Sequence, residues 1–311
     1  MHTYTFGNMK RFLLAFILMI SVTGNMKAQD TVAQQPVNKP LAKAPFESDY
    51  FIADRTVALP PAHTLEFVIQ HDFGTIQNHF TDLWGIWGGA NIRLGFSYTI
   101  NKNVQIGFGT TKNKYMQDLS VKYAFLHQRK GGFPVTLAIY GNMAVSCIKG
   151  WANYTGTKFS NTSDTSYSIL NRISYYGELM IARRFCKEFS AQLSLGWVHY
   201  NIVDSATMSF SHYKGRSRNN NLNIAGIGRI KISPQTSILL SYSQPVLTYL
   251  NTRPWPNFGL GIEVATSSHA FQIYLSAAQG IVPQEVVMYN NNNPYNGYIL
   301  LGFNITRLWT F

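Results

Sequence analysis

One stretch of sequence decides the fold, and it reads Ala90-Asn91-Ile92-Arg93-Leu94-Gly95-Phe96-Ser97-Tyr98-Thr99-Ile100. Every even-numbered position holds an apolar or aromatic residue, and every odd-numbered position holds glycine or a polar or charged residue. Successive side chains of a β-strand point to opposite faces. This stretch therefore predicts a strand with one apolar and one polar face.

The same two-residue period recurs in twelve segments to the end of the chain. They lie at about 64–74, 90–100, 103–112, 115–127, 133–146, 171–186, 188–200, 221–233, 236–244, 257–266, 269–278 and 297–309. Most connections alternate between tight turns, such as those at 101–103 and 234–235, and long polar loops. An even number of amphipathic strands with short turns at one end and long loops at the other is typical of an outer-membrane barrel.

Lipid offers no hydrogen-bond partner to an exposed backbone amide, so each strand must pair on both edges and the sheet must close. We therefore predict an all-β fold, a transmembrane antiparallel up-and-down β-barrel of about 12 strands. A secreted soluble β-sandwich, whose strands also alternate, is the alternative. The unequal connections and the terminal aromatic residue Phe311 favour the barrel.

The composition excludes several other classes of protein. Charged residues make up 13% of the 311 residues, against about a quarter in a soluble domain. The longest apolar run, Phe12–Ile20, has nine residues, whereas a membrane-spanning helix needs about 20. The 26 Lys and Arg outnumber the 14 Asp and Glu, but they are scattered, so we expect no nucleic-acid partner.

Cys147 and Cys186 fall at opposite ends of neighbouring predicted strands, so we expect free thiols.

The N-terminal region differs from the rest of the chain. Lys10 and Arg11 precede the apolar run, and small and polar residues follow it, which predicts a signal peptide over residues 1–28. Residues 29–62 show no period, and we interpret them as an N-terminal arm or plug. Residues 63–311 form the predicted barrel. We expect it in the cell outer membrane, in contact with outer-membrane lipid, with both termini on the periplasmic side.

Alternation also predicts which charged side chains face the lumen. Facing lipid at mid-depth costs an Arg or Lys about 2–4 kcal/mol, so the inward position is strongly favoured. The candidates are Glu66, Asp72, Arg93, Asp118, Lys122, Glu178, Arg184, Arg229, Lys231 and Glu263. Five acids and five bases indicate ion pairs across the interior rather than a ring of one sign, and Arg93, Asp118 and Lys122 could form one network. These charges either brace a narrow lumen or recognise a solute.

The last predicted strand carries aromatic residues on one face. Phe303, Trp309 and Phe311 are separated by even numbers of residues, and Phe311 ends the sequence. This pattern resembles the signal that the outer-membrane assembly machinery reads. We therefore expect that machinery to be a partner during biogenesis.

Five short segments carry a resemblance to a known family: His71–Gly74, Asp118–Tyr123, Gly261–Val264, Ser268–Gln272 and Gly302–Arg307. In order and spacing they resemble a Bacteroidota outer-membrane β-barrel family, domain of unknown function 5777. The resemblance spans about residues 46–311. It implies a barrel in the outer membrane, and it implies no known activity.

Three functions are compatible with such a barrel. The preferred one is the passage or binding of a small solute in a narrow polar lumen, and the second is a non-conducting scaffold that acts through its loops. A plug made from the arm would favour a scaffold or gated uptake. The third, a hydrolase, would rely on Ser211 and His212, but no G-x-S-x-G motif occurs, so we expect no enzyme. His63 and His71 lack the spacing of metal ligands, and we expect neither a metal nor a cofactor.

The Asn-rich run 290–293 lies in the last long connection. Clusters of polar residues between periodic segments are typical of loops. We expect this run to be a solvated loop tip.

Overall fold

The computed structural model describes residues 40–148, 169–201, 219–246 and 254–311. Two short strands, β1 (Tyr50–Phe51) and β2 (Asp54–Arg55), pair with each other. Twelve longer strands follow: β3 (Thr64–Thr75), β4 (Asn91–Asn101), β5 (Val104–Thr111), β6 (Met116–Leu126), β7 (Thr136–Ser146), β8 (Ile173–Arg184), β9 (Phe189–Tyr200), β10 (Asn220–Lys231), β11 (Thr236–Pro245), β12 (Asn257–Ala265), β13 (His269–Ser276) and β14 (Leu300–Thr310).

The twelve long strands form one closed antiparallel barrel in sequence order. The barrel closes where β14 pairs with β3, in a register that places Phe303 opposite His71 and Ile305 opposite Ile69. The predicted fold class is therefore confirmed. Closure gives every strand a partner on both edges, which is the requirement that lipid imposes.

The faces of the barrel are inverted relative to a soluble protein. In β4, Arg93 and Ser97 are buried, whereas Leu94 and Phe96 are 37% and 44% exposed. The same alternation holds in β12, where Glu263 is buried and Ile262 is 53% exposed. A soluble β-sandwich would bury the apolar stripe between two sheets, so the single closed sheet rules out that alternative.

The long connection between β13 and β14 folds back onto the barrel. It contains a short helix, α1 (Pro283–Met288), in which every residue from Gln284 to Met288 is buried. The expectation of a solvated tip at 290–293 is wrong for Asn290, which is 4% exposed. Its side-chain amide donates to the Trp255 carbonyl at 3.0 Å.

Several smaller expectations also have outcomes. Cys147 and Cys186 are free, as predicted, and both are exposed. Among the described residues, no helix is both long and apolar enough to cross a bilayer. The predicted signal peptide, the arm before residue 40, and Ser211 and His212 lie outside the described residues.

The lipid-facing stripe can be tested with a matched pair of isoleucines. Ile262 is in the middle of β12 and Ile232 is in the turn after β10, and the two are 53% and 60% exposed. We expect Ile262→Arg to destabilise the barrel by about 2–4 kcal/mol and Ile232→Arg by about 0–1 kcal/mol, because the cost depends on bilayer depth. The measurement is denaturant unfolding in lipid vesicles, and equal losses would contradict a lipid-facing Ile262.

Candidate functional site

The lumen contains a hairpin formed by the chain before the barrel. From here on, the arm means residues 40–62, which are the described part of the predicted arm 29–62. Near its beginning, the Ala42 amide donates to the Gln128 carbonyl at 2.8 Å, in the connection after β6. The arm turns between β1 and β2 and returns to the same mouth, where the His63 amide donates to the Thr99 carbonyl at 2.8 Å. Both ends of the hairpin therefore lie at the tight-turn mouth of the barrel.

Wall amides bind the backbone at the tip of the arm. Gln272 of β13 accepts from the Ile52 amide at 3.1 Å and donates to the Tyr50 carbonyl at 2.8 Å. Asn304 of β14 donates to the Ile52 carbonyl at 3.0 Å. The arm has no strand of the barrel beside it, so side chains supply the partners that its buried backbone groups require.

The opposite wall binds the returning half of the arm in the same way. Gln192 of β9 accepts from the Val57 amide at 2.9 Å and donates to the Arg55 carbonyl at 2.7 Å. Strands β13 and β14 are neighbours, and at least three strands separate them from β9 in either direction around the barrel. The arm therefore lies within the lumen and touches its wall from several directions.

A buried ion cluster joins the arm to β6. Lys122 of β6 pairs with Asp49 of the arm, and both side chains are 1% exposed. Arg55 donates to the other oxygen of Asp49 at 3.1 Å, and its guanidinium lies 3.6 Å above the Tyr50 ring. Removing one partner of a buried pair typically costs 3–5 kcal/mol, because a buried charge is left uncompensated.

A second ion cluster lies nearer the tight-turn mouth. Glu47 of the arm is 3.3 Å from Arg229 and 3.5 Å from Lys231, and Arg229 is also 3.4 Å from Glu263. Burial alone would raise the pKa of Glu47, but Arg229, Lys43 and Lys231 together lower it below its usual range. Arm and wall are thus matched in charge at this level.

A third ion pair belongs mainly to the wall. Arg93 of β4 donates to both oxygens of Asp118 of β6, at 2.9 and 2.7 Å, and also to the Tyr50 hydroxyl at 3.2 Å. The guanidinium occupies the space beside Gly109, where a Cβ would lie 2.1 Å from Nη2. Glycine at this position makes room for the pair. The sequence suggested that Lys122 could belong to this network. It does not pair with Asp118, because its partner is Asp49 of the arm.

The other predicted lumen charges differ in their surroundings. Glu66 accepts from Gln105 at 3.0 Å and Asp72 from the Tyr274 hydroxyl at 2.9 Å. Together with Glu178 they are buried, and no lysine or arginine of the described segments forms a salt bridge with any of the three. Arg184 lies at the rim, where its guanidinium donates to the backbone carbonyls of the following turn.

Helix α1 closes the opposite mouth. Gln284 donates to the side chain of Asn142 on β7 at 2.6 Å. Glu285 accepts from Asn113 at 2.8 Å and lies 3.7 Å from Lys114. The arm and α1 thus close the lumen from both ends.

The arm tip and α1 meet at a small cavity. Its lining includes Asp54 and Arg55 of the arm, Glu178 of the wall, and Val286 and Val287 of α1. The Oδ2 atom of Asp54 is buried and has no hydrogen-bond partner in the described part of the chain. Burial raises the pKa of this arm carboxyl to about 7.

Sequence reasoning missed three acids of the arm: Glu47 and Asp49, which complete ion clusters, and Asp54, which lines the cavity. Glu47, Asp49 and Asp54 are three of the fourteen acids in the chain, and they lie within eight residues. Three acids in a short stretch without alternation were the signal in the sequence that could have indicated partners for the lumen bases. In the described segments, no group of three or more His, Cys, Asp or Glu side chains could hold a metal ion.

A closed barrel with an apolar outer face and a polar, filled interior defines a β-barrel membrane protein. The chain belongs to the family described as membrane bound beta barrel domain (DUF5777), whose model matches residues 46–309. The match begins within the arm, so it includes the residues that fill the lumen. No curated protein matches the chain.

Solved structures show similarity of fold alone. The KdgM porin is 6% identical with a TM-score of 0.42, over 80% of this chain and 99% of that one. The COG4313 outer membrane channel from Pseudomonas putida F1 is 12% identical with a TM-score of 0.45, over 81% and 97%. The P. putida toluene transporter TodX is 8% identical with a TM-score of 0.38, over 81% and 91%.

The carboxyl of Asp54 predicts how arm docking depends on pH. Its pKa is about 7 in the docked arm and 3.8 in water, so the docked state binds the proton more tightly. This contribution to docking is complete below pH 4 and is lost as the pH rises from about 4 to about 7. We expect cleavage after Arg55 by an added protease to be faster at pH 8 than at pH 5, after normalisation to the unfolded chain.

Asp54→Asn is the control for this experiment. It removes one titrating group of the cavity, which Glu178 also lines, and should reduce the difference between the two pH values. A wild-type arm that is cleaved equally at both pH values would contradict the prediction.

Proposed function

We propose that this protein is an outer-membrane barrel whose lumen is closed by the arm, and that it binds or passes a small polar solute when the arm leaves. The supporting observation is the way in which the arm is held. Gln192, Gln272 and Asn304 bind its backbone, and ion pairs hold Glu47 and Asp49. Water can replace all of these contacts, whereas a strand added to the sheet could not leave without breaking the barrel.

The wall itself supports this proposal. Inward-facing Ser97, Gln105, Asn142, Ser194 and Asn223 are buried, and such side chains would be hydrated in an empty lumen. Eight strands enclose mainly side chains and sixteen enclose an aqueous channel. A lumen of twelve strands is intermediate, so we propose that the solute is small.

The proposed orientation follows from the two kinds of connection. In outer-membrane barrels the short turns face the periplasm and the long loops face outward. The arm enters at the tight-turn mouth, next to Gln128, so both ends of the chain would be periplasmic. The arm could then be reached from the periplasm.

We also propose that the end of β14 is the assembly signal. Phe303 and Trp309 lie on the outward face of the strand, and Phe311 is 83% exposed. Their outward positions would make them accessible to the assembly machinery before the barrel enters lipid.

The second candidate is a non-conducting scaffold that acts through its loops. It is favoured by the apolar part of the closure, in which Phe51, Ile52, Val287 and Met288 belong to one buried cluster. The third candidate, a hydrolase, would depend on Ser211 and His212, on which the described residues give no information.

Reversal of one arm charge separates the channel from the scaffold. Asp49→Lys would place a cation against Lys122 and Arg55, so we expect the arm to leave and the single-barrel conductance in a planar bilayer to rise above that of the wild type. The double variant Asp49→Lys/Lys122→Asp restores an ion pair and should return the conductance toward the wild-type level. Glu188→Lys reverses the charge of an exposed acid in the turn after β8 and should leave the conductance at the wild-type level.

Protease cleavage of the arm in the same preparation shows whether it has left the lumen. Because α1 closes the opposite mouth, the comparison is repeated with Glu285→Lys added, which places a cation against Lys114 to release α1. If the arm is then cleavable and the barrel still does not conduct, the channel is contradicted and the scaffold is supported. If the double variant conducts as strongly as Asp49→Lys, the ion pair does not hold the arm.

A further inference from the structure

The connection between β3 and β4 carries an unusual apolar surface. We call residues 76–89 the aromatic loop. Phe80 and Trp87 are 79% and 78% exposed, and Leu83, Trp84 and Ile86 are also exposed. Contiguous apolar surface of this kind marks a site of contact with a protein, a ligand or a membrane.

Charge is nearly absent from this surface. The aromatic loop contains no lysine or arginine. Its one carboxylate, Asp82, accepts from the Asn78 side chain at 2.9 Å and from the Gly85 amide at 2.9 Å. The carboxylate is thus used to hold the loop together, and the exposed surface is apolar.

The aromatic loop is held in one conformation. Gly85 has φ +84°, and a Cβ at this position would lie 2.1 Å from the Gly74 carbonyl oxygen. The Gly74 amide donates to the Gly85 carbonyl at 2.9 Å, and Gln77 donates to the Asn296 carbonyl of the neighbouring connection at 2.7 Å. The rings are therefore exposed by a defined structure.

The position of the loop relates it to the membrane. The last apolar residue in the outward row of β3 is Phe73, and Ile76 follows three residues later. At about 3.3 Å per residue this is roughly 10 Å along the chain, and a strand tilt of about 45° reduces it to about 7 Å along the membrane normal. The headgroup layer on each side of the hydrocarbon core is about 5–7 Å thick. The aromatic loop therefore begins at the depth of the headgroups, where Trp and Tyr are enriched in membrane proteins.

A neighbouring connection adds to the same surface. Tyr295 and Tyr298, which precede β14, are 71% and 42% exposed. The hydrogen bond from Gln77 to Asn296 places them beside the aromatic loop. The apolar surface is thus continuous along the adjacent ends of β14 and β3, which are both lipid-facing strands.

We propose that the aromatic loop is a membrane-contacting element that inserts Phe80, Trp84 and Trp87 into the lipid at the headgroup boundary. Its continuity with the lipid-facing row of β3 identifies the occupant as lipid. The absence of Lys and Arg means that apolar burial, rather than attraction to anionic headgroups, drives the contact. This contact does not depend on whether the lumen opens.

The test uses a chain that keeps Trp87 and has phenylalanine at its other five tryptophan positions. The matched positive control keeps Trp197 instead, which is on the outward face of β9 and 44% exposed. Both chains are placed in phosphatidylcholine vesicles, with and without bromine near the headgroup end of the acyl chains. We expect brominated lipid to quench Trp87 and Trp197 to a similar extent, and aqueous acrylamide to quench neither strongly.

Each outcome decides for or against lipid contact. If acrylamide quenches Trp87 strongly and brominated lipid does not, the loop faces water, where a soluble protein or glycan could bind it, and the proposal is overturned. Should the chain with a single tryptophan fail to fold, the wild type is compared with Trp87→Phe. Lipid contact then requires that the wild type loses more fluorescence to brominated lipid than the variant does.

Discussion

A backbone amide that faces acyl chains has no hydrogen-bond partner outside the protein. This constraint determines the structure of the chain from Thr64 to Thr310. Twelve strands pair on both edges, and the pairing of β14 with β3 removes the last free edge. Because the outer stripe must then be apolar, most of the polar and charged side chains of the strands are on the inside. The polar character of the lumen is therefore a consequence of the lipid outside the barrel.

A closed polar interior must be filled by water or by protein. In this molecule the arm fills it, and the wall amides and charges that would otherwise be hydrated bind the arm instead. The contacts between Lys122 and Asp49, and between Arg229 and Glu47, show that the filling is matched in charge as well as in shape. Buried ion pairs contribute less to stability than their number suggests, because desolvation offsets the attraction. They do make docking specific, and they make it sensitive to a single charge.

The sequence predicts the barrel well because alternation is a local property. Each pair of neighbouring residues in β4 or β12 reports which face meets lipid. The partners of the lumen charges are not local. Lys122 binds Asp49, 73 positions earlier. The arm has no alternation of apolar and polar residues that would show where it runs inside the barrel. The composition around Asn290 likewise predicts a solvated loop, because it does not show that α1 folds into the mouth. Candidate wall charges can therefore be predicted from the sequence, whereas their partners require the path of the chain in space.

The central claim is that lipid lies outside the sheet and that protein, rather than water, fills its interior. Footprinting of the unmodified protein in vesicles tests both halves, with a lipid-soluble carbene precursor and with hydroxyl radicals generated in water. On β9, we predict that the carbene labels Leu195 and Trp197, and that neither reagent labels Ser194 or Val198. Rapid modification of Val198 by hydroxyl radicals would show a water-filled lumen, and labelling of Leu195 by hydroxyl radicals alone would show that its stripe does not face lipid. Either result would contradict the account.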